Sequence, residues 1–132
     1  MKLTVLVCGG RDYKDYDQVC NELWYIVHQN GLLADEADNP EGFRLNLRIV
    51  NGGARGADTL ATNFAVANFC EFKEYKADWD KYKKAAGFIR NQQMLDEEDV
   101  DLVIAFPGGN GTADMVRRAK KAGIPVVEVD NG

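Results

Sequence analysis

Three glycine pairs concentrate the chemistry this chain could do: Gly9-Gly10, Gly52-Gly53 and Gly108-Gly109. Each follows an apolar run. Glycine lets backbone approach a ligand closely and permits positive φ. A helix opening after such a turn offers unpaired N–H groups and a partial positive charge, and both favour an anion. One βα turn often needs glycine merely to turn, whereas three on one sheet edge point to a phosphate-bearing ligand. Arg11 and Arg55 stand inside or directly after these turns, where a guanidinium can fork onto a phosphate. For either arginine the alternative is a solvated loop residue or the partner of a nearby Asp. Arg90 belongs to a segment whose helical apolar face is led by Phe88, Ile89 and Leu95, and the wheel places the arginine off that face.

Other chemistries lack their residues. There is no GxxxxGK[ST], so the chain is not a P-loop NTPase. Gly109-x-Gly111 begins a dinucleotide fingerprint, but its third glycine would fall on Asp114. The turn also follows the fourth apolar run, whereas that fingerprint normally follows the first. Cys8, Cys20 and Cys70 are widely spaced without a CxxC pair, and His28 is the single histidine. No metal site or cofactor is expected, and the thiols read as reduced and mostly buried. His28 reads as structural. The net charge of -5 argues against a broad nucleic-acid surface, which needs a basic face. No apolar run is long enough to span a membrane, and the start reads as a strand and not a signal peptide, so the cytoplasm is expected.

The elements that must position these turns follow from periodicity. Apolar runs at Leu3–Val7, Leu45–Val50, Glu71–Tyr75, Asp101–Phe106 and Val126–Val129 predict five strands. Helical spacing predicts helices from Tyr16 to Asn30, capped by Asp15 and stopped at Gly31, from Ala57 to Asn68, from Lys84 to Asp96, and after the third turn to Ala122. Asp78-Trp79 opens a polar connection. The acidic stretch from Leu32 to Phe43 reads as a surface loop. Strict alternation over 132 residues predicts a single α/β domain, a parallel five-stranded sheet between two helix layers. Trp24 and Tyr25 widen the apolar stripe of the first helix, as core or as the surface of a possible homodimer. Arg117-Arg118-Ala-Lys120-Lys121 reads as solvation and dipole compensation at a helix end.

Five segments then occur in a telling order: Cys8-Gly-Gly-Arg-Asp-Tyr13, Asn51-Gly-Gly-Ala-Arg-Gly-Ala-Asp-Thr-Leu-Ala61, Ala77-Asp-Trp79, Ala86-Gly-Phe-Ile-Arg-Asn91 and Phe106-Pro-Gly-Gly-Asn-Gly-Thr112. Together they resemble the YspA-like family of the SLOG superfamily, a family of unknown function found in bacteria and phages. The resemblance implies a Rossmann-like fold with strand order 3-2-1-4-5, binding a nucleotide or nucleotide-derived signal. The superfamily also contains the Lonely Guy phosphoribohydrolases, which cleave the N-glycosidic bond of a nucleoside monophosphate. Their signature is PGGxGTxxE with an upstream helical arginine. Pro107 to Thr112 matches it and Arg90 resembles that arginine, but the signature glutamate falls on Met115.

Breaking an N-glycosidic bond develops positive charge on the ribose, which a carboxylate can stabilise and a thioether cannot. Met115 sits on the apolar wheel face and reads as core. Asp114 is about 100° round the helix, on its polar face. The expected ligand-binding set is Gly9, Gly10, Arg11, Gly52, Gly53, Arg55, Arg90, Asn91, Gly108, Gly109, Gly111 and Thr112. Asp114, Asp12 and Arg90 are the catalytic candidates, and Asp58 and Asp78 could supply a carboxylate from other loops. Three functions remain open: a binding protein for a nucleotide-derived small molecule, a phosphoribohydrolase or related N-glycosidase, and a structural or assembly module with a vestigial site, against which three intact glycine turns count.

Overall fold

The computed structural model describes residues 2–35 and 41–130. Strands β1 (Leu3–Cys8), β2 (Leu47–Asn51), β3 (Glu71–Glu74), β4 (Leu102–Ala105) and β5 (Val126–Glu128) form one sheet in the order β3-β2-β1-β4-β5. Every pairing is parallel, with Val5 beside Ile49 and Val7 beside Ile104. The expected Rossmann-like order is therefore the observed one.

Successive side chains of a strand point to opposite faces, and both faces here are covered. Val5, Val7, Leu47 and Ile49 face helices α1 (Tyr16–Asn30) and α2 (Ala57–Ala67), and pack with Val19, Leu23, Ala61 and Phe64. Leu6, Cys8, Val50 and Val103 face α4 (Ala86–Glu97) and α5 (Asn110–Lys121), and pack with Met94, Met115 and Ala119. This is why the strands read as continuous apolar runs. Helix α1 starts as its sequence dictates: the Asp15 carboxylate accepts the N–H of Gln18 at 3.0 Å, and Gly31 closes the helix at φ 62°.

Several local expectations are corrected. β2 begins at Leu47, because Leu45 forms an isolated antiparallel bridge with Leu33. Leu32, assigned to a surface loop, is fully buried in the first core, since the turn after Gly31 folds the chain back onto α1. Residues 36–40 of that acidic stretch lie outside the described residues. The polar connection after Asp78 contains a short helix α3 (Trp79–Tyr82), capped by the Asp78 side chain, followed by a 3₁₀ turn at Lys83–Ala85. In α4 the apolar residues Phe88 and Ile89 are exposed, while Asn91 and Met94 are buried. Trp24 packs edge-on against Phe64 at 5.5 Å, and Tyr25 is exposed. His28 stacks on Trp24 at 5.9 Å. Among the described residues no helix is long and apolar enough to cross a membrane.

An ionic clamp fixes where α4 ends. Arg48 on β2 donates to both oxygens of Glu98 at 2.8 and 3.0 Å and to Glu71 at 2.9 Å, and Tyr75 donates to Glu98. A forked guanidinium fixes orientation as well as distance. It anchors the helix that carries Arg90 and Asn91.

Candidate functional site

β1 feeds a helix on one sheet face and β4 a helix on the other, so a crevice opens between their carboxyl ends, where ligands of open α/β sheets sit. The glycine turns close its floor. Gly10 donates its N–H to Pro107 O at 2.9 Å, and Ala57 donates to Gly10 O at 3.1 Å. Most of these glycines have an internal reason. A Cβ on Gly9 would lie 2.6 Å from Ala57 Cβ, and one on Gly10 would lie 2.9 Å from Pro107 O. On Gly108 it would press on Gly10 N at 2.6 Å, and on Gly52 it would displace the Arg90 guanidinium. Gly53 adopts φ +65°, which glycine alone takes at little cost.

Gly109 and Gly111 differ. Neither has positive φ, and a Cβ on either would meet nothing within 4 Å. Both line the cavity that the turns enclose, of about 330 Å³. No side chain caps the first turn of α5, so its leading N–H groups are free to bind an anion. Thr112 lines the same cavity, with its hydroxyl against Gly108.

The cations stand around this turn. Arg11, Lys84 and Arg90 line the cavity, and among the described residues Asp58 is the one carboxylate that does so. A site with a cationic surplus inside a chain of net charge -5 favours anionic ligands locally. Arg90 Nη1 donates to Gly52 O at 2.6 Å and to Tyr75 O at 3.3 Å, and Nε donates to Asn91 Oδ1 at 3.2 Å. Burial pulls its pKa down, opposed by the Asp58 charge; a guanidinium stays charged all the same. Arg11 lies over the Trp79 ring at 5.3 Å. The partly exposed rings of Trp79 and Phe88 complete the wall.

Asn91 is buried, and its amide is engaged within the fold. It donates to Gly111 O and to Asp114 Oδ2, each at 3.1 Å. It therefore ties the glycine turn to α4 and orients Arg90. Asp114 is not on an open polar face. It is buried, and accepts from Arg117 at 2.8 Å and Arg118 at 2.7 Å. The reason is the neighbour: α4 packs beside α5, so the flank next to Met115 is covered too. Burial raises the Asp114 pKa, but the bonds from Arg118 and Asn91 outweigh it and hold the carboxyl below its usual range. The basic run of α5 is correspondingly not merely solvated, because two of its arginines neutralise Asp114. Met115 is fully buried.

Asp12 is exposed, forms a 3.6 Å pair with Arg55 and does not line this cavity. Arg55 and Gly53 border an adjoining cavity. Asp78 caps α3. Cys8 lines the floor, and burial lifts its thiol to about 12. Among the described residues no His/Cys/Asp/Glu group could hold a metal ion.

Asp58, expected as a carboxylate from another loop, is 6% exposed and accepts from the N–H groups of Gly52 at 3.1 Å and Ala54 at 3.2 Å. Burial raises its pKa from the usual 3.8 to about 6, against the lowering effect of these bonds and of Arg90. The folded state thus holds this proton more tightly than the unfolded chain does. Its stabilising effect is full below pH 3.8 and is lost as pH rises through about 6. That shift corresponds to about 3 kcal/mol. Asp58→Asn should flatten the stability profile between pH 4 and 7, whereas Asp58→Ala should lose about 1–3 kcal/mol by orphaning a buried N–H. Urea unfolding of the three proteins across that range tests this; parallel profiles for wild type and Asp58→Asn would contradict it.

A family model described as "YspA, cpYpsA-related SLOG family" matches residues 3–82. The chain belongs to this SLOG family. The matched span contains the first two glycine turns, β1 to β3 and α3. The Gene 61 protein of Mycobacterium phage D29 is 37% identical over 130 residues, covering 93% of each chain. SLOG membership suggests a nucleotide-related ligand, which agrees with a cavity that joins free helix N–H groups, cations and aromatic rings.

Proposed function

We propose that the protein binds a nucleotide or nucleotide-derived signalling molecule between the glycine turns. The phosphate sits on the amides at the start of α5, helped by the Thr112 hydroxyl, Arg11 and Arg90. The base lies against Trp79 and Phe88, because every base presents a π-face to an aromatic ring. The observation that carries this reading is the pair Gly109 and Gly111. The fold has room for a Cβ at both; Gly109 also suits its place as the N-cap of α5, so Gly111, inside the first turn, is the clearer sign of a ligand. Burial of a small ligand in a cavity of this size is ordinary for a cofactor or signal site.

A hydrolytic reading, cleavage of a nucleoside monophosphate at its N-glycosidic bond, has one observation in its favour: the Asp58 carboxylate lines the cavity with a pKa near neutrality. Groups poised in that way serve in acid–base catalysis. Asp114 serves this chemistry less well, because two arginines and Asn91 occupy its oxygens.

One experiment separates the two. Nucleotides, cyclic nucleotides and ADP-ribose derivatives are screened for a rise in melting temperature, and each hit is assayed for released base. Binding without turnover supports the first reading. Base release that disappears in Asp58→Asn supports the second. No thermal shift with any ligand would overturn both.

A further inference from the structure

A second cavity of about 380 Å³ adjoins the first and shares Arg11, Trp79 and Arg90 with it. Its own cations are Arg55 and Lys76, and among the described residues no acidic side chain lines it. Four cations facing one hollow repel one another, so they favour an anion between them. Asp12 does not quench this charge. Its pair with Arg55 is long, at 3.6 Å, and the two side chains are 92% and 76% exposed; such pairs contribute little and exchange readily. The second hollow also has a floor fixed in place. Gly53 at φ +65° accepts the Lys76 stem across it, since a Cβ there would lie 3.0 Å from Lys76 Cγ. Arg11 on the Trp79 ring stands at the junction of the two cavities.

We infer that the ligand carries two separate phosphate groups, one on the α5 N-terminus and the other between Arg55 and Lys76, with Trp79 and Arg11 between them. The chemical class is a nucleotide phosphorylated at two positions, or a dinucleotide whose phosphates stand apart. This rests on the reading above, and it names what that reading leaves general. A nucleoside monophosphate fills the first cavity and leaves the second set of cations facing water.

The test is titration calorimetry with the four common nucleoside 5′-monophosphates and the matching nucleoside 3′,5′-bisphosphates. A mixed set of dinucleotides distinguishes the second source of the same chemistry. Wild type is compared with the double variant Arg55→Ala/Lys76→Ala, whose exposed side chains can be removed without touching the core. Two charge-assisted contacts predict that the two-phosphate ligand binds at least about tenfold more tightly than its monophosphate. The double variant should lose that preference while its monophosphate affinity changes less than about twofold. Equal affinity for the two ligands in wild type overturns the inference and leaves nucleotide binding standing. So does a preference that survives in the double variant. Absence of binding by every nucleotide overturns the inference and the proposed function together.

Discussion

Met115→Glu, which restores the glutamate of the phosphoribohydrolase signature, should destabilise the protein by about 4 kcal/mol or more and yield no enzyme. Met115 is fully buried, in the core it shares with Leu6, Val50 and Met94. A carboxyl placed there would fold only in its protonated form, with its pKa driven up by several units. Protonated, it would still lack hydrogen-bond partners in an apolar pocket, and a buried unsatisfied polar group is costly. Domains of this size are stable by only about 5–15 kcal/mol, so the variant should melt roughly 10 °C lower or more. Met115→Leu conserves volume and should cost less than about 1.5 kcal/mol. Urea unfolding and a base-release assay on both variants check this. A Met115→Glu protein as stable as wild type, releasing base, would mean that this position of α5 faces the cavity.

The strands and the first helix were legible in the sequence because each buries a simple pattern. β1 and β2 are apolar on both faces, and α1 carries its cap and its stop in plain view at Asp15 and Gly31. The strand order came through the family resemblance, since periodicity alone does not order strands. The glycine turns were legible as turns, but not the separation between those glycines that pack and those that lie bare. That separation depends on what faces each Cα across the fold. α4 and α5 misled the wheel for one reason. Each is covered along one flank by the other as well as by the sheet, so Asn91 and Asp114 are buried and Phe88 is not. A buried polar residue satisfied by a distant partner leaves no local pattern. Asp58 is the residue that sequence reasoning weighed too lightly. Its spacing fits a helix-dipole acid, and only the fold shows it gripping the N–H groups of Gly52 and Ala54. A carboxylate five residues beyond a glycine pair is a signal that could have raised it.

Gly111→Ala should part stability from binding. The residue lies in the first turn of α5 and has room for a methyl group. Alanine is favoured over glycine within a helix by about 0.5–1 kcal/mol, partly because it restricts the unfolded chain. The ligand-free variant should therefore be as stable as wild type or slightly more so. The same methyl would stand in the cavity where we place the phosphate, beside the free N–H groups of the turn. A displaced phosphate loses charge-assisted bonds to those amides and to Arg90, and affinity should fall about tenfold to a hundredfold. Melting temperature without ligand and calorimetric titration with whichever nucleotide shifts the wild type check the two halves. A loss of stability would show that Gly111 serves packing after all. Unchanged affinity would remove the phosphate from the α5 turn, and with it the one explanation on which the bareness of Gly111 depends.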